Sequence, residues 1–314
     1  RAPGPPRPLS ATRCRTRTLR SPVMEHGWKC SGLRWAPGGP VWEWDGGRRS
    51  ALPRGKRIGF AVPEGGVRTC VGARGHACPV RAVVPGRSTG ARCEECTRLD
   101  RAHSVAADTI ADDPRPYRVY LAWFGPGMVK VGITAAERGP ARLLEQGAVC
   151  FSWLGTGPLM AARRTEELLR AALQVPDRIP YAAKRAVRSA LPGTPAERAA
   201  EVRELHARAV ALSGWPDSLC PAPCEVTDHV GVFGLAGVPA ALGEVVELVP
   251  GGGVGGELVA AAGPDLHLAV GGRGVVVLDT RLMRGWELVS PAATGAAGLT
   301  FPFREFRQEQ EGLF

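Results

Sequence analysis

The feature that most restricts how this chain can fold is a group of four cysteines in a stretch too rich in glycine, and too poor in apolar residues, to pack by itself. Cys70 and Cys78 stand in TCVGARGHACP, and Cys93 and Cys96 in ARCEECTR. A Cys-x-x-Cys pair lets two thiolates grip one tetrahedral ion from a tight turn. The partner pair is wider, with Gly72, Gly75 and Pro79 supplying turns and His76 standing as an alternative ligand. The spacing predicts structural Zn²⁺ on Cys70, Cys78, Cys93 and Cys96, holding together a segment with little core of its own. Four thiolates close the coordination shell and leave no open position for catalysis. A redox dithiol is the competing reading, and no βαβ pattern accompanies it.

The remaining cysteines point elsewhere. Nine is an odd number, and without an export signal a disulfide framework is not expected. Cys220-Pro-Ala-Pro-Cys224, with His229 nearby, is not read as a second metal site, because no second pair follows and two prolines stiffen the spacer. Cys14, Cys30 and Cys150 are isolated and read as plain thiols.

From residue 117 the pattern becomes regular. YRVYLAWF alternates as a strand does, Gly125-Pro126-Gly127 is a turn, and MVKVGIT is a second strand. ERGPARLLEQ predicts a short helix from near Pro140, VCFSWLGTG a third strand, and LMAARRTEELLRAAL a helix with apolar residues at helical spacing. YAAKRAVRSAL, after Pro180, predicts another. On the longer helix the apolar stripe centres on Thr165, Leu168, Leu169 and Ala172. Glu166 flanks it and Glu167 lies opposite, facing water.

This order is similar to the GIY-YIG nuclease superfamily. There a tyrosine from each motif, an arginine on the following helix and a glutamate on a later helix assemble a one-metal phosphodiesterase site. The resemblance implies catalytic roles for Tyr120, Lys130, Arg142 and Glu166, with Glu166 holding Mg²⁺ or Mn²⁺. Lys130 stands where the second tyrosine falls, and Gln146 where many active members have histidine. Lysine has no phenol, so Tyr120 would act alone on the water while Lys130 holds phosphate, or the site would only bind. The cysteines, KVGIT, RLLEQGA, the glutamate helix, Asp177-Arg178-Ile179 and GGRGVVVLDTRLMRGWEL also resemble, in this order over about residues 28–290, an uncharacterised prokaryotic family, domain of unknown function 2797.

Charge bears on partners. The formal net charge is +10, yet residues 215–314 carry five Arg against twelve acids, while residues 118–190 carry eleven Lys or Arg against five. A nucleic acid, DNA or RNA, would sit on the front and middle of the chain. No apolar run approaches the ~18 residues of a membrane span, so no membrane role and a cytoplasmic protein are expected. Residues 1–24 form a disordered Arg/Pro-rich leader, with Met24 as the expected true start and an organellar transit peptide as the weaker alternative.

At 314 residues two or three compact units are expected. The fold class reads as α+β, with a small β sheet over 25–68, where Trp28, Trp35, Trp42 and Trp44 fill a core rather than stack on bases. A zinc segment follows over 69–100 and a GIY-YIG-like α/β domain over 115–213. A small β-barrel or sandwich spans 217–314, in which Gly251 to Gly256 is a hairpin connection rather than a phosphate loop, and the last residues fray. The functional expectation is a metal-dependent nuclease. The alternatives are a non-catalytic nucleic-acid-binding or scaffold protein of the same fold, and a protein-interaction module using the acidic β domain.

Overall fold

The computed structural model describes residues 27–101, 113–294 and 298–306. The leader, with Cys14 and Met24, and residues 307–314 lie outside them. Helices and sheets both contribute, so the fold is α+β. No described helix is long and apolar enough to cross a membrane.

Strands β1 (Trp28–Ala36), β2 (Gly39–Trp44) and β3 (Arg49–Ala51) form an antiparallel meander, and β4 (Arg57–Ala61) follows. Trp35 and Trp42 turn inward and are buried, and Trp44 packs partly against them. Trp28 is the exception: it is 42% exposed, with the Arg48 guanidinium 4.1 Å above its ring. The cysteine segment runs from β4 to helix α1 (Glu94–Arg101).

The central region contains β5 (Tyr117–Trp123), β6 (Val129–Ala135), α2 (Ala141–Gln146), β7 (Cys150–Gly157), α3 (Leu159–Leu173), α4 (Tyr181–Val187) and α5 (Pro195–Val210). β5 lies between β6 and β7, antiparallel to both. Strand alternation divides its side chains between two faces. Val119, Leu121 and Trp123 enter the main core, while Tyr120, Ala122 and Phe124 join a smaller cluster with Leu143, Ala148 and Phe151. On α3 the buried stripe is Leu159, Ala162, Thr165 and Leu169. Ala172 is exposed because the helix ends at Gln174, whose φ of 55° turns the chain away. Helix α5 went unread in the sequence although it carries a start signal, a capping box in which Thr194 and Glu197 bond reciprocally, with Pro195 at the first position.

The remainder supplies β8 (Cys220–Pro221), β9 (Thr227–Asp228), α6 (Val230–Phe233), β10 (Gly243–Val245), β11 (Gly253–Ala262), β12 (Asp265–Val270), β13 (Gly274–Asp279), β14 (Glu287–Leu288), α7 (Pro291–Thr294) and β15 (Phe303–Glu305). The boundaries expected at 68 and at 217 do not divide the sheets. β4 closes the six-stranded order β15-β10-β13-β12-β11-β4, β14 pairs with β1, and β8 and β9 pair with β7. The reason is burial: Ile58, Phe60 and Ala61 of β4 are all buried, which a three-stranded meander cannot provide. One apolar core runs from Trp35 and Phe60 through Val119 and Val202 to Leu268 and Trp286. The glycine run also departs from expectation. Gly251 and Gly252 turn, but Gly253 to Gly256 are strand residues of β11 paired to β4. Their absent side chains allow close approach, since a Cβ on Gly256 would lie 2.8 Å from the Ala269 carbonyl oxygen.

Two contacts tie the central region to the C-terminal strands. Arg185 of α4 bonds Glu244, Asp265 and Asp279 at 2.6–2.7 Å, and Arg188 bonds Asp265 at 2.7 Å. Asp265 is wholly buried, yet these guanidiniums hold its carboxyl below the usual carboxylate range against the effect of burial. Beside this network the β11–β12 turn at Gly263 abuts Gly147, the left-handed residue that ends α2. A Cβ on Gly263 would lie 3.0 Å from the Gly147 nitrogen. Trp35 donates its indole N–H to the Gly263 carbonyl at 2.9 Å.

Candidate functional site

Tyr120, Lys130, Arg142 and Glu166 line one open cleft of about 610 Å³, together with Arg115, Arg163 and Asp177. Cross-strand pairing sets Tyr120 directly opposite Gly132. The phenol lies over that glycine, and a Cβ there would come 2.4 Å from the Tyr120 hydroxyl. Gly132 in KVGIT is therefore the space into which Tyr120 folds. Gln146, at the end of α2, donates from Nε2 to the Tyr120 hydroxyl at 2.9 Å. Its own carbonyl accepts from Lys184 Nζ at 3.0 Å, and the next residue is the Gly147 braced by the C-terminal hairpin.

Lys130 is buried, donates from Nζ to the Asp177 carbonyl at 3.1 Å and stands 5.7 Å from the Tyr120 ring centroid. Glu166 is half-buried and Glu167 exposed, the division that helical phase predicts. Arg142 is exposed, its guanidinium 3.9 Å from Glu145. Burial pushes the Tyr120 phenol up, so it is neutral near neutral pH. Burial, reinforced by Arg142, draws Lys130 down to about 8. Glu166 is raised by burial, opposed chiefly by the Lys130 charge. Glu166 and Asp177, both half-buried, and the exposed Glu137 are the carboxylates of this basic cleft, and so sparse a carboxylate set suits a hard cation that keeps most of its water.

The four cysteines converge more tightly. Their sulfurs all lie within 4.8 Å of one another, compared with the ~3.8 Å between ligands around a tetrahedral ion with 2.3 Å Zn–S bonds. The set can hold a metal ion. The backbone N–H groups of Gly72 and Cys93 donate to Cys70 Sγ at 3.3 and 3.2 Å. Those of Ala82 and Val80 draw the Cys78 thiol down to about 7. His76 is exposed on the turn between Cys70 and Cys78 and is not in the group. Gly72 is required there, for a Cβ would meet the His76 carbonyl oxygen at 1.9 Å. Among the described residues there is no second such group, and Cys220 and Cys224 are exposed. The His229 ring is buried against Phe151 and Phe233, with Nδ1 2.9 Å from the Ala148 carbonyl oxygen. Burial pushes the Cys30 and Cys150 thiols up to about 12, as unreactive core thiols require.

Gln146 and Asp177 stand in the sequence motifs without a site role of their own, yet in the fold one holds the tyrosine and the other the lysine. Their signal was proximity to Tyr120 and Lys130 across the fold, which linear spacing does not carry. Residues 56–288 match the family described as "Protein of unknown function (DUF2797)". No curated protein matches, and no solved structure does.

Proposed function

The chain belongs to that family of unknown function, and from this premise we propose that its central cleft hydrolyses phosphodiester bonds of DNA or RNA as a metal-dependent, GIY-YIG-type nuclease. The observation that carries the reading is the convergence of Tyr120, Lys130, Arg142 and Glu166 on one basic cleft. Gln146 occupies the Tyr120 oxygen as donor, which leaves the phenolic O–H to orient a water or a phosphate oxygen. Lys130 and Arg142 place positive charge where the scissile phosphate gains negative charge. A Mg²⁺ or Mn²⁺ held by Glu166 would supply Lewis-acid stabilisation there. The four cysteines would hold structural Zn²⁺, and four thiolates would leave no open coordination position for this chemistry.

The test is a cleavage panel of single-stranded, duplex and branched DNA and structured RNA with Mg²⁺ or Mn²⁺. Glu166→Gln keeps size and loses the anionic ligand, so cleavage should fall by about 10²-fold or more with binding retained. Equal cleavage by that variant overturns the site assignment. One observation favours a second reading, a protein that binds nucleic acid without cutting it. The Lys130 ammonium is buried against the Asp177 carbonyl and lowers the Glu166 carboxyl by its charge, so it competes for the position of a cation. Salt-sensitive binding with no cleavage of any substrate by zinc-loaded protein selects that reading.

A further inference from the structure

We propose that Lys184 of α4 is a positioning residue of the central cleft. With the β11–β12 turn at Gly263 as a second jaw, it clamps the peptide of Gln146 and so fixes where Tyr120 stands. The consequence for activity rests on the nuclease reading above, whereas the placement of Tyr120 does not.

Helix α2 is six residues long and ends in Gly147 at φ of 72°. Most of its carbonyls therefore fall in the last turn, where a helix has no N–H to offer them. Two of them are met by α4 instead. Tyr181 donates its hydroxyl to the Glu145 carbonyl at 3.4 Å, and Lys184 donates Nζ to the Gln146 carbonyl at 3.0 Å. A spacing of three residues puts both donors on one face of α4. Arg185 and Arg188 continue the row and bond Asp265, so α4 is anchored on the C-terminal strands while it holds the end of α2.

The Gly263 turn closes on the same peptide. A Cβ on Gly263 would lie 3.1 Å from the Gln146 carbonyl carbon and 3.1 Å from the Glu145 oxygen. The turn is itself held, since Trp35 donates to the Gly263 carbonyl at 2.9 Å and Arg188 to the Ala262 carbonyl at 3.1 Å. Gln146, fixed at its backbone and buried, then presents Nε2 to the Tyr120 hydroxyl at 2.9 Å. Hydrogen bonds weaken steeply with misalignment, so a displaced Gln146 peptide loosens the phenol.

A tie between α2 and α4 does not by itself call for an amine. Lys184 is buried over the rings of Phe124 at 3.8 Å and Tyr181 at 4.3 Å. Burial, with the charges of Lys130, Arg188 and Arg281 set against that of Asp265, draws it down to about 7. An apolar side chain of similar length would fill that space without the desolvation cost. What the amine adds is a donor aimed at one carbonyl oxygen, and that oxygen belongs to the residue that holds Tyr120.

The experiment uses the full-length, zinc-loaded chain with its tyrosines ¹³C-labelled at Cζ, whose resonance reports hydrogen bonding at the phenol. The chain has three tyrosines, and Tyr120→Phe identifies the Tyr120 line. Arg142 acts on the same phenol and stays in place in every variant. Gln146→Leu should shift the line by removing the donor, and Lys184→Met and Gly263→Ala should each shift it by displacing the donor, with the Tyr117 line unmoved. Lys184→Met added to Gln146→Leu should cause little further shift, because both act along one path. Where the wild type cleaves nucleic acid, Lys184→Met should lower kcat by up to about 10²-fold with KM little changed. A wild type that cleaves nothing removes the nuclease reading, and the Tyr120 line still decides this proposal. A wild-type Tyr120 line in Lys184→Met overturns it, as do additive shifts in the double variant or a shifted line with wild-type kcat. Should Lys184→Met fail to fold, Gly263→Ala decides in its place, and an unmoved Tyr120 line there overturns the clamp.

Discussion

The cysteine segment and the central cleft gather their functional side chains by opposite means. The cluster around Cys70, Cys78 and Cys96 has almost no other buried apolar side chains, only Ala73 and Val84. Its turns are held by backbone hydrogen bonds, such as those between Ala73 and His76 and from Cys70 to Ala82, and by N–H groups that donate to Cys70 Sγ. The cleft instead hangs on a sheet whose opposite face enters the main core through Val119, Leu121 and Val131. One arrangement has four sulfurs that could hold an ion and little apolar packing beside them, and the other is shaped by a packed sheet. Two polar sites in one chain should therefore respond to different perturbations.

The largest effect is expected from disrupting the four-cysteine group. Cys93→Ser with Cys96→Ser should abolish zinc, read by metal analysis, and remove on the order of 10 kcal/mol of metal-linked folding energy from residues 69–100. Hydrogen exchange should rise there and stay low in β5 and β7. An equal rise in β5 would show that the cleft also leans on the ion. His76→Ala should do much less, since the imidazole lies outside the group.

A packing change tests the cleft in the same spirit. Gly132→Ala places a methyl 2.4 Å from the Tyr120 hydroxyl, so the phenol must move and its bond from Gln146 with it. Destabilisation of about 1–3 kcal/mol by chemical denaturation is expected, with zinc content unchanged.

The smallest effect is a titration. Lys130 is drawn down to about 8 by burial, so its positive charge is present below that pH and lost as pH rises through it. Affinity for a labelled strand should fall a few-fold from about pH 7 to about pH 9, and Lys130→Arg should flatten the curve. Stability runs the other way for this group. The folded pKa lies below the unfolded value of ~10.4, so between about 8 and ~10.4 the unfolded chain binds more protons and this lysine makes stability rise with pH.

Much of the central region was legible because its signals are local. The β5 alternation, the turn at Gly125-Pro126-Gly127 and the phase of Glu166 against Glu167 need only a short window of sequence. The cysteine group was legible for another reason, since few chemistries require that residue type four times in one stretch. The partnering of β4 with β11 and of β1 with β14 was not legible, because each strand reads correctly alone and nothing local names a mate so distant. The same limit hid the role of the C-terminal strands beside the cleft, which rests on Gly263 meeting Gly147.

The interlacing of the two ends sets a timetable for the chain on the ribosome. β4 emerges roughly 190 residues before β11, its partner, and β1 roughly 250 before β14. At ~5–20 residues per second this leaves strand edges open for ~10 s at the fastest and close to a minute at the slowest. Throughout that interval Trp35, Trp42 and Phe60 have no covering layer and present a sticky surface to other nascent chains. Slowing translation ahead of β11 should lower soluble yield, and supplying a holdase should restore it, with no change in the finished protein.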